Sequence, residues 1–339
     1  AGITRLPESI GTLSALKVLT LDNCSRLTSL PDSLGELTAL TTLKLRGCSR
    51  LPCLPESIGG LKQLTALSLR HCAGLYCLPD SISGLTALTT LDLHGCTSLV
   101  CVPETIGGLS ALTTLNLDSC RALTDLPESL GNLGALTTLK LGHCSALTRL
   151  PESLGSLAAL ATLNLYGCNR LRQLPNSIGD LAALPALNLT RCGSLQVLPD
   201  TIGRLATLTS LRLNYCSSLV RLPESIGGLR ALTKLELLEC FALRALPDTI
   251  GDLAALTALD LSGCAALTRL PERIGELAAL RVLDLGGCRA LARLPRSFSA
   301  LAAPEWLDVR DCQSAVRQQS RVRRSAVLLK RLSLSSGSA

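Results

Sequence analysis

The segment CSRLPC sets Cys48 and Cys53 five positions apart, and the spacing returns in CAGLYC (Cys72, Cys77) and CTSLVC (Cys96, Cys101). His71 and His94 stand beside the later two copies. Clustered thiols and imidazoles are the donor set of a structural zinc site. Paired thiols are equally the reacting groups of disulfide exchange. Both chemistries require the side chains to converge, and convergence depends on the elements that carry them.

Those elements repeat. A Leu-Pro pair recurs from Leu6 to Leu294 at a spacing of 24, thirteen copies in all, with Val102-Pro103 standing in once. The unit reads LxxLxLxxCxxLxxLPxSIGxLxx, as in LTTLKLRGCSRLPCLPESIGGLKQ. In LTTLKLR, Leu40, Leu43 and Leu45 alternate with Thr42, Lys44 and Arg46, the period of a short strand with its leucines turned inward. The segment PESIG predicts a Pro-initiated, Gly-terminated turn of helix or 3₁₀. An acid follows the Pro in eleven of thirteen copies, where it suits the positive end of its own turn. Stacked like charges repel, so this column is expected to be a solvated face rather than an active site. A single coil is too small to fold alone, so stacking must supply its stability. The expected fold is α/β, a solenoid of about thirteen 24-residue coils curved as a horseshoe. Its parallel sheet lines the concave face, and short helical or 3₁₀ turns line the convex face.

This unit resembles the leucine-rich repeats of plant intracellular nucleotide-binding immune receptors. LTTLKLRGCSRLPCLPESIGGL and LTALDLSGCAALTRLPERIGELAAL follow that form, and the match spans residues 3–312. The resemblance implies a recognition or autoinhibition surface of a larger signalling protein, here plant defence. It concerns the repeat array alone, because no GxxxxGK[ST] nucleotide-binding motif occurs in the chain.

Placed on the coil, thirteen of the sixteen cysteines, Cys24 to Cys312, fall at one inward position after the strand. A free Cys behaves there as a small hydrophobe. Pairing neighbours would distort alternate coils, so a disulfide framework is not expected. Reduced thiols and no visible signal peptide predict a cytoplasmic location. Cys53, Cys77 and Cys101 form a second column in three consecutive coils, where other coils place Ser29, Asp125, Arg149 or Gln173. Those polar occupants mark a surface position. Two readings of the column stand: side chains carried along by repeat duplication, or a redox-sensitive or metal-binding thiol patch. His71 and His94 belong to the strand ends and the outer thiols lie beyond the turn, so one ion should not gather both. No metal, cofactor or catalytic residue is expected. No Ser-His-Asp, paired-carboxylate or HExxH arrangement stands out.

The positions that vary are those facing outward on the strands. They give a basic group early in the chain (Lys44, Arg46, Arg70, His71, with His94) and acids late (Glu236, Glu239, Asp260, Asp284). Between them come Tyr166, Arg191, Arg212 and Tyr215, residue types enriched at binding hot spots. A protein or peptide ligand on the concave face is the expected partner, with no small-molecule substrate. The rival reading is the substrate-recognition module of an enzyme, a ubiquitin ligase or kinase, whose catalytic domain is absent from this chain.

Net charge is +7. Six basic residues and no acid fall in 313–339, which leaves +1 for the rest. A nearly neutral body argues against general nucleic-acid binding. The sequence therefore divides into an array, 1–312, and a basic, Ser-rich tail, 313–339. The tail either caps the last coil, with SAVLLKRLSL as an amphipathic helix, or stays disordered. Nucleic-acid or membrane contact would run through this tail, although a solvated end is the more ordinary role. No apolar run approaches the roughly 18 residues of a membrane span.

Overall fold

The computed structural model describes residues 2–301 and 304–320. Within it the described residues form two compact units, those up to 188 and those from 189 on, and one coil design builds both. The first unit carries β1 (Val18–Thr20), β2 (Thr42–Lys44), β3 (Ala66–Ser68), β4 (Thr90–Asp92), β5 (Thr114–Asn116), β6 (Thr138–Lys140), β7 (Thr162–Asn164) and β8 (Ala186–Asn188). The second carries β9 (Ser210–Arg212), β10 (Lys234–Glu236), β11 (Ala258–Asp260), β12 (Val282–Asp284) and β13 (Trp306–Asp308). Within each unit the strands are parallel and stand in chain order, β1 to β8 in the first and β9 to β13 in the second. Paired residues lie 24 positions apart, as in Leu19 with Leu43 and Leu235 with Leu259.

Burial follows the alternation. In the coil from Leu40, the side chains of Leu40, Leu43, Leu45, Cys48, Leu51, Ile58 and Leu61 are fully buried, while Lys44 and Arg46 are exposed. Polar side chains then bind one coil to the next. The hydroxyl of Thr65 donates to the Thr41 carbonyl (3.1 Å), and that of Thr89 to the Thr65 carbonyl (3.0 Å).

Opposite the strands each coil makes a 3₁₀ turn, such as Glu56–Gly60. Two details depart from expectation. Pro55 precedes the turn in extended conformation (φ −70°, ψ 152°), and the turn runs one residue past Gly59. Gly59 is therefore no terminator. A Cβ built on it would sit 2.5 Å from the Ser81 carbonyl oxygen, so its bare Cα is what lets the next turn pack close. Nor does the acid cap its own turn. Glu56 instead accepts the backbone N–H of Ser81, in the following coil, at 3.1 Å. Glu128 likewise accepts from Glu152 (3.3 Å) and Ser153 (3.0 Å). The column is solvated, as expected, but it satisfies the orphan N–H groups of its neighbour.

Beyond Cys312, residues 314–320 are α-helical. Val316 is buried, and the Gln319 side-chain oxygen accepts the Leu294 N–H at 2.9 Å. The rest of the basic tail, with Arg321, Arg323, Arg324, Lys330 and Arg331 and the SAVLLKRLSL segment, lies outside the described residues.

Candidate functional site

Between each strand and its ladder cysteine lies a position the repeat pattern did not flag. In all thirteen coils the residue just before the cysteine has a positive φ, between 55° and 76°. Five coils use Gly there: Gly47, Gly95, Gly167, Gly263 and Gly287. Eight use other residues. Asn23, His71, His143 and Asp311 are types that visit this left-handed region several-fold more often than most. Ser119 (φ 65°), Arg191 (φ 64°), Tyr215 (φ 62°) and Glu239 (φ 55°) are not, and of these Ser119 alone is small. The conformation costs an L-residue about 1–2 kcal/mol. It re-aims the chain so that its backbone N–H reaches the next coil, as Tyr215 N–H does to the Leu238 carbonyl at 2.7 Å.

This geometry sorts the expected residues into small groups. In the first unit, Lys44 and Arg46 are exposed, and Arg70 pairs with Asp92 at 3.1 Å. The His71 and His94 rings meet edge to face, with centroids 5.0 Å apart. Burial, then the Arg70 guanidinium and His71, hold His94 below its ordinary value, which keeps it neutral at pH 7. Tyr166 meets His143 in the same edge-to-face way, centroids 4.8 Å apart. His143 carries no signal in the sequence beyond its place beside Cys144.

In the second unit the Arg191 guanidinium lies 5.5 Å from the Tyr215 ring centroid, a cation–π contact. Arg212 pairs with Glu236 at 3.5 Å, and Asn214 donates to the same carboxylate at 3.0 Å. An exposed pair of this kind contributes at most about 1 kcal/mol, so it positions side chains more than it stabilises the fold. Farther along this unit, a pocket of about 1160 Å³ is lined by Glu239, Asp284, Trp306, Asp308, Arg310 and Arg317, among others. Its carboxylates outnumber its arginines five to two, and Trp306 is 56% exposed. Burial, with Asp260 and Asp308 nearby, pushes the Asp284 carboxyl up.

The cysteines resolve into two sets. The thirteen of the ladder are all buried, and Cys53 and Cys101 are exposed with Cys77 between the two states. Cys48 and Cys53 thus point different ways. Cys77 is pushed up by burial and then by Cys53 and Cys101. Among the described residues no group of three or more His, Cys, Asp or Glu side chains could hold a metal ion.

A fixed inward frame under a varied outward face defines a repeat scaffold of the recognition kind. The family described as "Leucine-rich repeat region" matches residues 57–168 and 152–260, and the chain belongs to it. No curated protein matches the sequence. Among solved structures, the chain is similar to a leucine-rich-repeat protein of Leptospira interrogans (24% identity, 95% of this chain and 97% of that one, TM-score 0.43). It is also similar to the leucine-rich-repeat domain of the type III effector XopL (30%, 73% and 76%, TM-score 0.48). A third is TLR13 in its complex with ssRNA13 (22%, 90% and 52%, TM-score 0.52). The first and last of these likenesses concern the fold alone.

Proposed function

We propose that the strand face, the concave side expected from the sequence, recognises another protein or a peptide. One contrast carries this reading. Inward positions repeat as Leu, Leu and Cys in coil after coil, whereas the outward positions beside them vary, the central one running from Lys44 through Asp92 and Asn164 to Arg212 and Glu236. In the second unit that variation gathers Arg212, Glu236 and Asn214 into one bonded group, with exposed Tyr215 beside it. Arg and Tyr are the types that dominate binding energy at interfaces.

The recognition unit proposed is the array 1–312, acting as the sensing region of an intracellular immune or signalling receptor. The LPESIG-type repeats support that reading. Replacing Arg212 and Tyr215 together with Ala is expected to weaken partner binding by more than about 2 kcal/mol, measured by calorimetry. Unchanged affinity would remove them as the hot spot. A catalytic domain adjoining the array in the full-length gene would instead favour the substrate-recognition module of a ubiquitin ligase or kinase.

A further inference from the structure

The left-handed column follows a packing rule. A side chain there leans over the same position of the next coil, and that position is commonly Gly. A Cβ on Gly95 would come 2.5 Å from His71 Nδ1, on Gly167 2.9 Å from His143 Nδ1, and on Gly263 2.9 Å from Glu239 Cγ. One run in the second unit breaks the rule with bulky side chains. Arg191, Tyr215 and Glu239 occupy three successive coils with no Gly between them, all with φ between 55° and 64°. The array closes the same turn with Gly in five other coils, so the fold does not need these side chains. Strain held where a strain-free residue would serve points to function.

We infer that Arg191, Tyr215 and Glu239 form a recognition strip for an extended peptide segment running along the array, an inference that rests on the strand-face reading. Arg191 is exposed and Tyr215 is 36% exposed. Among the described residues no carboxylate pairs with Arg191 and no cation pairs with Glu239. With the Arg191 guanidinium against the Tyr215 ring, the strip presents a cation and a ring side by side and then the half-buried carboxylate of Glu239. Backbone bonds from Arg191 to Asn214, from Tyr215 to Leu238 and from Glu239 to Ser262 (2.7–2.8 Å) continue the ladder of the sheet. Coils thus stand about 4.8 Å apart here, and Arg191 and Glu239 about 10 Å. At about 3.3 Å per extended residue, the partner fits as an acid and a base three positions apart, with an apolar or aromatic residue between them over Tyr215. Glu239 also lines the pocket that holds Asp284, Asp308 and Trp306, which suits the basic end of such a peptide by charge and by cation–π contact.

The test is selection of a phage-displayed library of random linear peptides on the full chain. Selected peptides are then measured by fluorescence anisotropy on two variants. One is Arg191→Gly/Tyr215→Gly/Glu239→Gly, which relieves the strain. The other is Arg212→Ala/Glu236→Ala, which clears the adjoining strand face. Expected are peptides with the acid-x-x-base spacing, at least about tenfold weaker on the triple glycine variant, whose Tm is unchanged or raised. Peptides that bind the triple variant as tightly as wild type but lose the strand-face variant overturn the strip and leave the strand-face reading standing. A fall in Tm of more than about 3 °C in the triple variant overturns the claim that these side chains are held at a cost. Failure to select any peptide overturns the strip and leaves the strand-face reading to a folded protein partner, which the Arg212→Ala/Tyr215→Ala calorimetry tests.

Discussion

The thiol of Cys96 donates to the carbonyl of Leu69 in the preceding coil across 3.1 Å. The same carbonyl accepts the Cys72 backbone N–H at 3.1 Å, so one oxygen closes its own turn and ties the next coil to it. The contact recurs along both units, as in Cys144 to Leu117 and Cys264 to Leu237. A small polarizable side chain with a weak donor suits the site. Valine would fill the space and lose the bond, and serine would keep a donor on a shorter arm.

This arrangement separates the thiols by reactivity. Burial pushes Cys96, Cys168, Cys216 and Cys264 up to about 12, and the thiolate is the reacting form. In the native protein near pH 8, an aromatic disulfide reagent is expected to label Cys53 and Cys101 first, Cys77 more slowly, and the ladder only on unfolding. Mass mapping of the labelled peptides reads the order. Equal rates for the outer three and the ladder would exclude an outer thiol patch of distinct reactivity.

The turn face gives a pH dependence. Backbone N–H donation from Ser153 holds the Glu128 carboxylate below its usual range. A carboxylate depressed by folding contributes stability that is present above its unfolded value, near 4.3. That stability is lost as pH falls through the lower folded value. Glu128 is mostly exposed, so its own share is about 0.5 kcal/mol. Thermal unfolding is expected to weaken below about pH 4.3, and Glu128→Gln to flatten that slope while lowering the neutral-pH Tm slightly. An identical pH profile for the variant would show that the inter-coil cap contributes nothing.

Particular residues show what the sequence could carry. Leu43, Leu45 and Cys48 were legible because period two within the strand and period 24 between coils both fix their direction. The Arg212–Glu236 pair was half legible, since both residues were singled out but in different groups, Arg212 among the intervening Tyr and Arg residues and Glu236 among the late acids. Glu128 was misplaced onto its own turn because local pattern describes one coil, and its acceptor role exists only between coils. The left-handed position was hidden for a similar reason. Gly47 hinted at it, but Tyr215 and Arg191 have the wrong intrinsic preference, and stacking overrides preference there.

Gly59 and Gly134 test the same inter-coil logic by opposite outcomes. Both lie on the turn side of their coils, and neither has a positive φ. A Cβ on Gly59 would press within 2.5 Å of the Ser81 carbonyl oxygen and 3.0 Å of the Ser81 Cβ. Neither neighbour can swing aside, because Ser81 is held in its own turn through the bond from its N–H to Glu56. The turns must therefore separate, and Gly59→Ala is expected to cost about 1–3 kcal/mol, the scale of overpacking. At Gly134 nothing lies within 4 Å of the added carbon, and Ala158 and Ala182 already stand at its place in the next two coils. Gly134→Ala is then expected to be neutral or to stabilise by about 0.4–1 kcal/mol through the unfolded chain. Urea midpoints at constant m-value measure both. If Gly59→Ala unfolded at the wild-type midpoint, close approach of the turns would not be what selects glycine there, and the stacking distance on this face would be looser than the register implies.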